Sequence, residues 1–218
     1  MRVLVTGASR GIGRALVDAL VARGDQVIAT VRRAEDLAGV GFEVLTMDVA
    51  DTASVRAARA TLAGPLDLLV SNAGISGGPQ RAPGMDLLRA ASVIDVNALG
   101  ALRVYDAFVD LLRASPRTPW LVHVSSEAGS LGRFRASSKP EYAMSKAAMN
   151  ALTRWIAAVE DKVRVVSMHP GWTRTDLGGP NAPRTAEETA AAMLVAIDRL
   201  EPAHHGGFVD TELAAIPW

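Results

Sequence analysis

The chain contains no cysteine, which excludes a disulfide framework, a zinc-thiolate centre and a cysteine nucleophile. It also lacks an excess of charge of either sign, since 23 Lys and Arg are matched by 23 Asp and Glu. Nucleic-acid and membrane-surface binding normally draw on a basic excess, so neither is expected as a general role. No apolar run is long enough to span a bilayer. The start of the chain carries no basic segment followed by an apolar stretch and a cleavage site, which points to a cytoplasmic protein. No Ser/Pro-rich linker, charge block, low-complexity tract or solenoid-type repeat divides the 218 residues, so a single domain, 1–218, is expected. Against 21% charged residues stand 49% hydrophobic ones, enough for a substantial core.

Those apolar residues fall into short β-rich runs at 3–5, 26–31, 42–47, 66–71, 121–124 and 163–168, with a last short strand expected near 207–210. Helical patterns separate them, the longest at 85–114, 142–160 and 186–200. Strands buried on both faces lose strict polar alternation, and right-handed crossovers place helices on either side. The alternation therefore predicts an α/β fold: a doubly wound, Rossmann-like parallel sheet.

The first strand runs straight into Thr6-Gly7-Ala8-Ser9-Arg10-Gly11-Ile12-Gly13. Three glycines between a strand and a helix let the backbone turn sharply and approach a ligand, while free amides and the positive end of the helix dipole face an anion. Alone, such a loop is also compatible with an ordinary tight turn. Here a helix follows, with Ile12, Leu16 and Leu20 on one face and Gly24 as its C-terminal cap, and a second strand completes a β-α-β unit. A dinucleotide pyrophosphate is the expected ligand.

Ligands of such sheets sit beyond the carboxyl ends of the strands. The residues found there are Asp48-Val49, Asn72-Ala73-Gly74, Ser125-Ser126 and Pro170-Gly171-Trp172-Thr173-Arg174-Thr175, with Tyr142-Ala143-Met144-Ser145-Lys146 near the start of a long helix. Together with the glycine loop and Asn97, this set resembles the short-chain dehydrogenase/reductase family. The stretch from His169 through Asn181 and the terminal Ile216-Pro217-Trp218 is similar to a compact subgroup related to bacterial C-factor and insect sniffer-type carbonyl reductases.

Reduction of a carbonyl by hydride transfer leaves an alkoxide that must take a proton from a donor within hydrogen-bond reach. The resemblance makes Tyr142 that donor. A free phenol has a pKa of about 10, so a neighbouring cation is needed to favour its phenolate. Lys146 lies one helical turn on, with its Cβ about 5–6 Å from that of Tyr142. By resemblance Lys146 also holds the nicotinamide ribose, Ser126 orients the substrate oxygen, and Asn97 holds a water linking Lys146 to solvent. The spacing from Ser126 to Tyr142 exceeds that usual in the family, so Ser137 and Ser138 remain looser alternatives to Ser126, whereas Ser125 faces the other way if the strand pleat continues.

The resemblance further implies a coenzyme held by Gly7, Ser9, Arg10, Gly11, Ile12, Gly13, Arg32, Asp48, Val49, Asn72, Ala73, Gly74, Tyr142, Lys146, Pro170, Gly171, Thr173 and Thr175. Asp48 is expected on the adenine amino group with Val49 against the ring, although Asp48 also suits a helix cap. An acid at the end of the second strand would accept ribose hydroxyls, whereas a cation accommodates a 2′-phosphate. Val31 stands there, followed by Arg32 and Arg33, with Arg10 nearby in the loop. NADPH is therefore expected over NADH.

The substrate side is short, with roughly ten residues between Thr175 and the next helix, and Trp172 and Phe134 are the expected walls of the pocket. His204-His205 reads as a solvated pair rather than a metal site. The resemblance further implies a homo-oligomer, dimer or tetramer, through the two long helices after the fourth and fifth strands, where Ala147, Ala148 and Ala151 would permit close packing. The function expected is interconversion of a small-molecule carbonyl and an alcohol. The alternatives are a coenzyme-binding regulatory protein of the same fold, or an epimerase or dehydratase.

Overall fold

The computed structural model describes residues 1–37, 39–80, 83–135 and 139–218. Seven strands form one sheet: β1 (Arg2–Val5), β2 (Gln26–Val31), β3 (Glu43–Thr46), β4 (Leu68–Ser71), β5 (Trp120–Val124), β6 (Arg164–Met168) and β7 (Phe208–Val209). Their order is β3-β2-β1-β4-β5-β6-β7, and every pair is parallel. The chain winds outward from β1 to β3 and then returns to lay β4 on the other side of β1. That reversal opens a crevice at the carboxyl ends of β1 and β4, where ligands of this architecture bind.

Among the described residues six α-helices cover the sheet: α1 (Gly11–Ala22), α2 (Thr52–Thr61), α3 (Leu87–Ile94), α4 (Gly100–Arg113), α5 (Pro140–Val159) and α6 (Ala186–Asp198). Because successive strand side chains point to opposite faces, Val3 and Val5 join Leu16 and Leu20 of α1 and Met193 and Ile197 of α6 in one core. Leu4 points the other way, into a core with Val104, Phe108 and Leu112 of α4 and Ile156 of α5. Both faces of the central strands are thus dry, which is why their sequences show apolar runs rather than alternation.

Local signals set the helix ends. Gly24 takes φ +88° and its N–H bonds Val21 O at 2.9 Å, closing α1 as expected. Thr185 and Glu188 form a reciprocal capping box on α6. Asp51, rather than Asp48, caps α2 by accepting from Ala53 N at 2.8 Å, while Asp48 closes the preceding turn by accepting from Ala50 N at 2.9 Å. The expected helix at 85–114 is divided by a π-helical turn, Asp95–Leu99, between α3 and α4. No helix among the described residues is long and apolar enough to cross a membrane.

Candidate active site

The glycine loop is built as a cradle. Gly7 has φ +68°, and a Cβ there would lie 2.8 Å from the Ala73 Cα; one on Gly13 would strike Gly7 O and Asn72 Nδ2. Only glycine fits either place. Asn72 Nδ2 donates to Thr6 O at 2.9 Å and Gly7 O at 3.2 Å, and Thr6 Oγ1 accepts from the Asn72 and Ala73 amides at 2.9 and 3.0 Å. These bonds stitch the first turn to the Asn72-Ala73-Gly74 turn. The N-terminus of α1 receives no side-chain cap and carries no acid in its first turn, so its amides and positive dipole end remain available to an anion. A dinucleotide pyrophosphate fits this donor set.

A cleft of about 1000 Å³ opens over the cradle and is bordered by all eighteen residues expected to hold the coenzyme. Ser126 borders it as well. Asn97 does not: fully buried behind the cleft, its side chain donates to Ile75 O and Ser145 Oγ and accepts from Ile75 N, each at 2.8 Å.

Tyr142 and Lys146 are presented by the first turns of α5. Lys146 Nζ is buried, donates to Val124 O at 2.7 Å and stands 5.7 Å from the centroid of the Tyr142 ring. Burial disfavours the charged form of each group. It pushes the lysine down to about 8 and the phenol up to about 12, the latter opposed by a hydrogen bond with Ser126. For the phenol, burial outweighs the Ser126 hydrogen bond. Ser125 also borders the cleft, but its hydroxyl is engaged, donating to Asn150 Oδ1 at 2.6 Å; Ser137 and Ser138 lie outside the described residues.

Beyond the end of β2, a second cavity of about 640 Å³ is lined by Ser9, Arg10, Arg32, Arg33 and Asp36. Arg10 pairs with Asp176 at 2.7 Å, and Arg33 with Asp36 at 2.8 Å and Glu35 at 3.8 Å. Arg32 forms no ion pair among the described residues.

Of the two expected substrate walls, Trp172 borders the cleft, its indole N–H donating to Gly178 O at 2.8 Å. Phe134 does not border it and is 66% exposed. The loop before it is drawn toward the end of the chain, where Ser130 Oγ donates to Pro217 O at 2.5 Å and Gly132 N to Trp218 O at 2.6 Å. Residues absent from the sequence-based set also border the cleft, among them Ser92, Glu127, Lys139, His169 and Asp176. Glu127 and His169 follow strand ends, a signal that could have found them; Ser92 and Lys139 arrive through helix packing. His204 and His205 accept from the backbone N–H groups of Glu201 and Val165 respectively.

A family model for short chain dehydrogenases matches residues 1–186. The chain is 39% identical over 158 residues to the C-signal of Myxococcus xanthus, covering 71% of this chain and 94% of that protein. Among solved structures it is similar to an NADPH-bound carbonyl reductase from chicken fatty liver, with 28% identity, TM-score 0.92 and coverage of 100% and 98% of the two chains. The carbonyl reductase Sniffer of D. melanogaster is equally similar in shape, with TM-score 0.92, 26% identity and coverage of 100% and 99%.

Proposed function

This chain belongs to the short chain dehydrogenase family, and from that premise we propose that it is an NADPH-dependent oxidoreductase interconverting a ketone or aldehyde with the corresponding alcohol. The observation that carries this reading is the opening of Tyr142, Lys146 and Ser126 into the same cleft as the glycine cradle. The residues lining that cradle, from Gly7 to Gly13 and from Asn72 to Gly74, would hold the coenzyme, with Pro170, Gly171, Thr173 and Thr175 along the opposite wall. When bound, the coenzyme supplies a hydride.

The remaining chemistry falls to side chains. Tyr142, kept protonated by burial, donates its phenolic proton to the substrate oxygen as negative charge develops there. Ser126, hydrogen-bonded to Tyr142, orients that oxygen and stabilises its charge. Lys146 supplies the positive charge that eases formation of the phenolate left behind. Asn97 acts at one remove, fixing the loop at Ile75 and the first turn of α5 through Ser145. Arg32 is the leading partner for a 2′-phosphate, because among the described residues no carboxylate matches its charge. The NADPH bound to the chicken carbonyl reductase adds support for this choice.

An assay of ketones, aldehydes and quinones with NADPH and with NADH tests the proposal. Turnover with NADPH is expected, and tighter binding of NADH would refute the coenzyme preference. Tyr142→Phe is expected to lower kcat by about 10²- to 10⁴-fold while leaving NADPH affinity nearly unchanged; retained turnover would reject the role given to Tyr142.

A further inference from the structure

Arg10 borders two cavities at once: the cleft over the glycine cradle and the arginine-lined pocket beyond β2. Its guanidinium reaches Asp176 Oδ2 at 2.7 Å, across from the N-terminus of α1 to the segment that follows β6. That segment is held in place independently of the ion pair. Thr175 Oγ1 accepts from Gly178 N at 3.1 Å, Gly179 N bonds Thr175 O at 2.8 Å, and Lys139 Nζ donates to Leu177 O at 3.1 Å. A Cβ on Gly11 would meet the Thr175 methyl at 3.2 Å, so the two segments touch beside the pair. Asp176 is thus delivered to Arg10 by a hydrogen-bonded turn rather than by a free loop.

We propose that Asp176 is a specificity-determining residue for the coenzyme: by pairing with Arg10 it withdraws a cation from the pocket that receives the 2′-phosphate, and so limits the preference for the phosphorylated form. The inference rests on the NADPH reading given above. Its physical basis is competition. A guanidinium already matched by a carboxylate presents a phosphate with little net charge, and the phosphate must displace that carboxylate to bond it directly. Arg33 is matched in the same way by Asp36 and Glu35. Releasing Arg10 therefore adds a second unmatched cation beside Arg32. Both members of the pair are about three-quarters exposed, so the effect is modest and screened by salt.

Calorimetric titration of the full chain with 2′,5′-ADP and with 5′-AMP separates the 2′-phosphate from the rest of the nucleotide. At low salt, Asp176→Asn is expected to tighten 2′,5′-ADP by about two- to fivefold and to leave 5′-AMP unchanged. In an Arg10→Gln background the same substitution should have no effect. Unchanged 2′,5′-ADP affinity, equal tightening of both nucleotides, or an effect that persists without Arg10 would overturn the inference while leaving the NADPH reading intact. A wild-type protein that binds 2′,5′-ADP no more tightly than 5′-AMP would instead defeat the NADPH reading, and this inference with it.

Discussion

Tyr142 and Lys146 titrate away from their ordinary values in opposite directions for one reason, that removal from water penalises whichever form is charged. The lysine falls from 10.5 to about 8 and the tyrosine rises from 10.0 to about 12. Lys146 is therefore a cation below about pH 8 and neutral above it, whereas the phenol stays protonated across that range. Carbonyl reduction needs both the proton and the cation. A profile of kcat/KM for reduction should be level on the acid side of about pH 8 and fall on the alkaline side; a rate that climbs steadily from pH 7 to 10 would contradict this. Deeper in the same region, burial and the charge of Lys146 push His123 down to about 3. It is neutral in the working range, its Nδ1 lying 2.8 Å from Thr153 Oγ1.

At the scale of elements, the π-helical turn between α3 and α4 places Asn97 where three segments meet. Its amide clasps Ile75 beyond β4 and reaches Ser145 on α5, whose hydroxyl donates to the Tyr142 carbonyl at 2.7 Å. A π turn carries one residue more than an α turn and rotates the side chains around it. Asn97→Ala leaves the Ile75 amide and carbonyl without these partners, so a loss of about 1–3 kcal/mol in urea unfolding is expected, together with a fall in kcat larger than any change in NADPH affinity. An unchanged kcat would confine Asn97 to stability alone. The helical periodicity of 85–114 revealed the helix but not this turn, because a single inserted residue barely disturbs the apolar pattern.

For the molecule as a whole, α5 leaves a stripe of apolar side chains facing outward. Met144, Trp155 and Val159 are 41%, 55% and 61% exposed, and Ala151 lies between them on the same face. Their spacing of seven, four and four residues aligns them along one side of the helix, on the helix where association is expected through Ala147, Ala148 and Ala151. An apolar stripe of this kind favours burial against another subunit. Sedimentation velocity at micromolar concentration should show a dimer or tetramer, and Trp155→Glu should shift it toward monomer. Only monomer in the wild type would reject the association.

The sequence by itself determined the sheet, the cradle and the helical pair. A strand dry on both faces needs an uninterrupted apolar run, a turn this tight needs glycine at positions 7 and 13, and four residues of helix bring Tyr142 and Lys146 to one side. Each is a local requirement, written within a few consecutive residues. Tertiary structure alone decided that Arg10 faces Asp176, that Phe134 lies off the cleft, that the Asn97 side chain is spent on Ile75 and Ser145, and that burial dominates the titration of Tyr142. These outcomes depend on segments far apart in the chain coming within a few ångströms. Hydrogen bonding, ion pairing and desolvation act over such distances in space, whatever the separation in sequence.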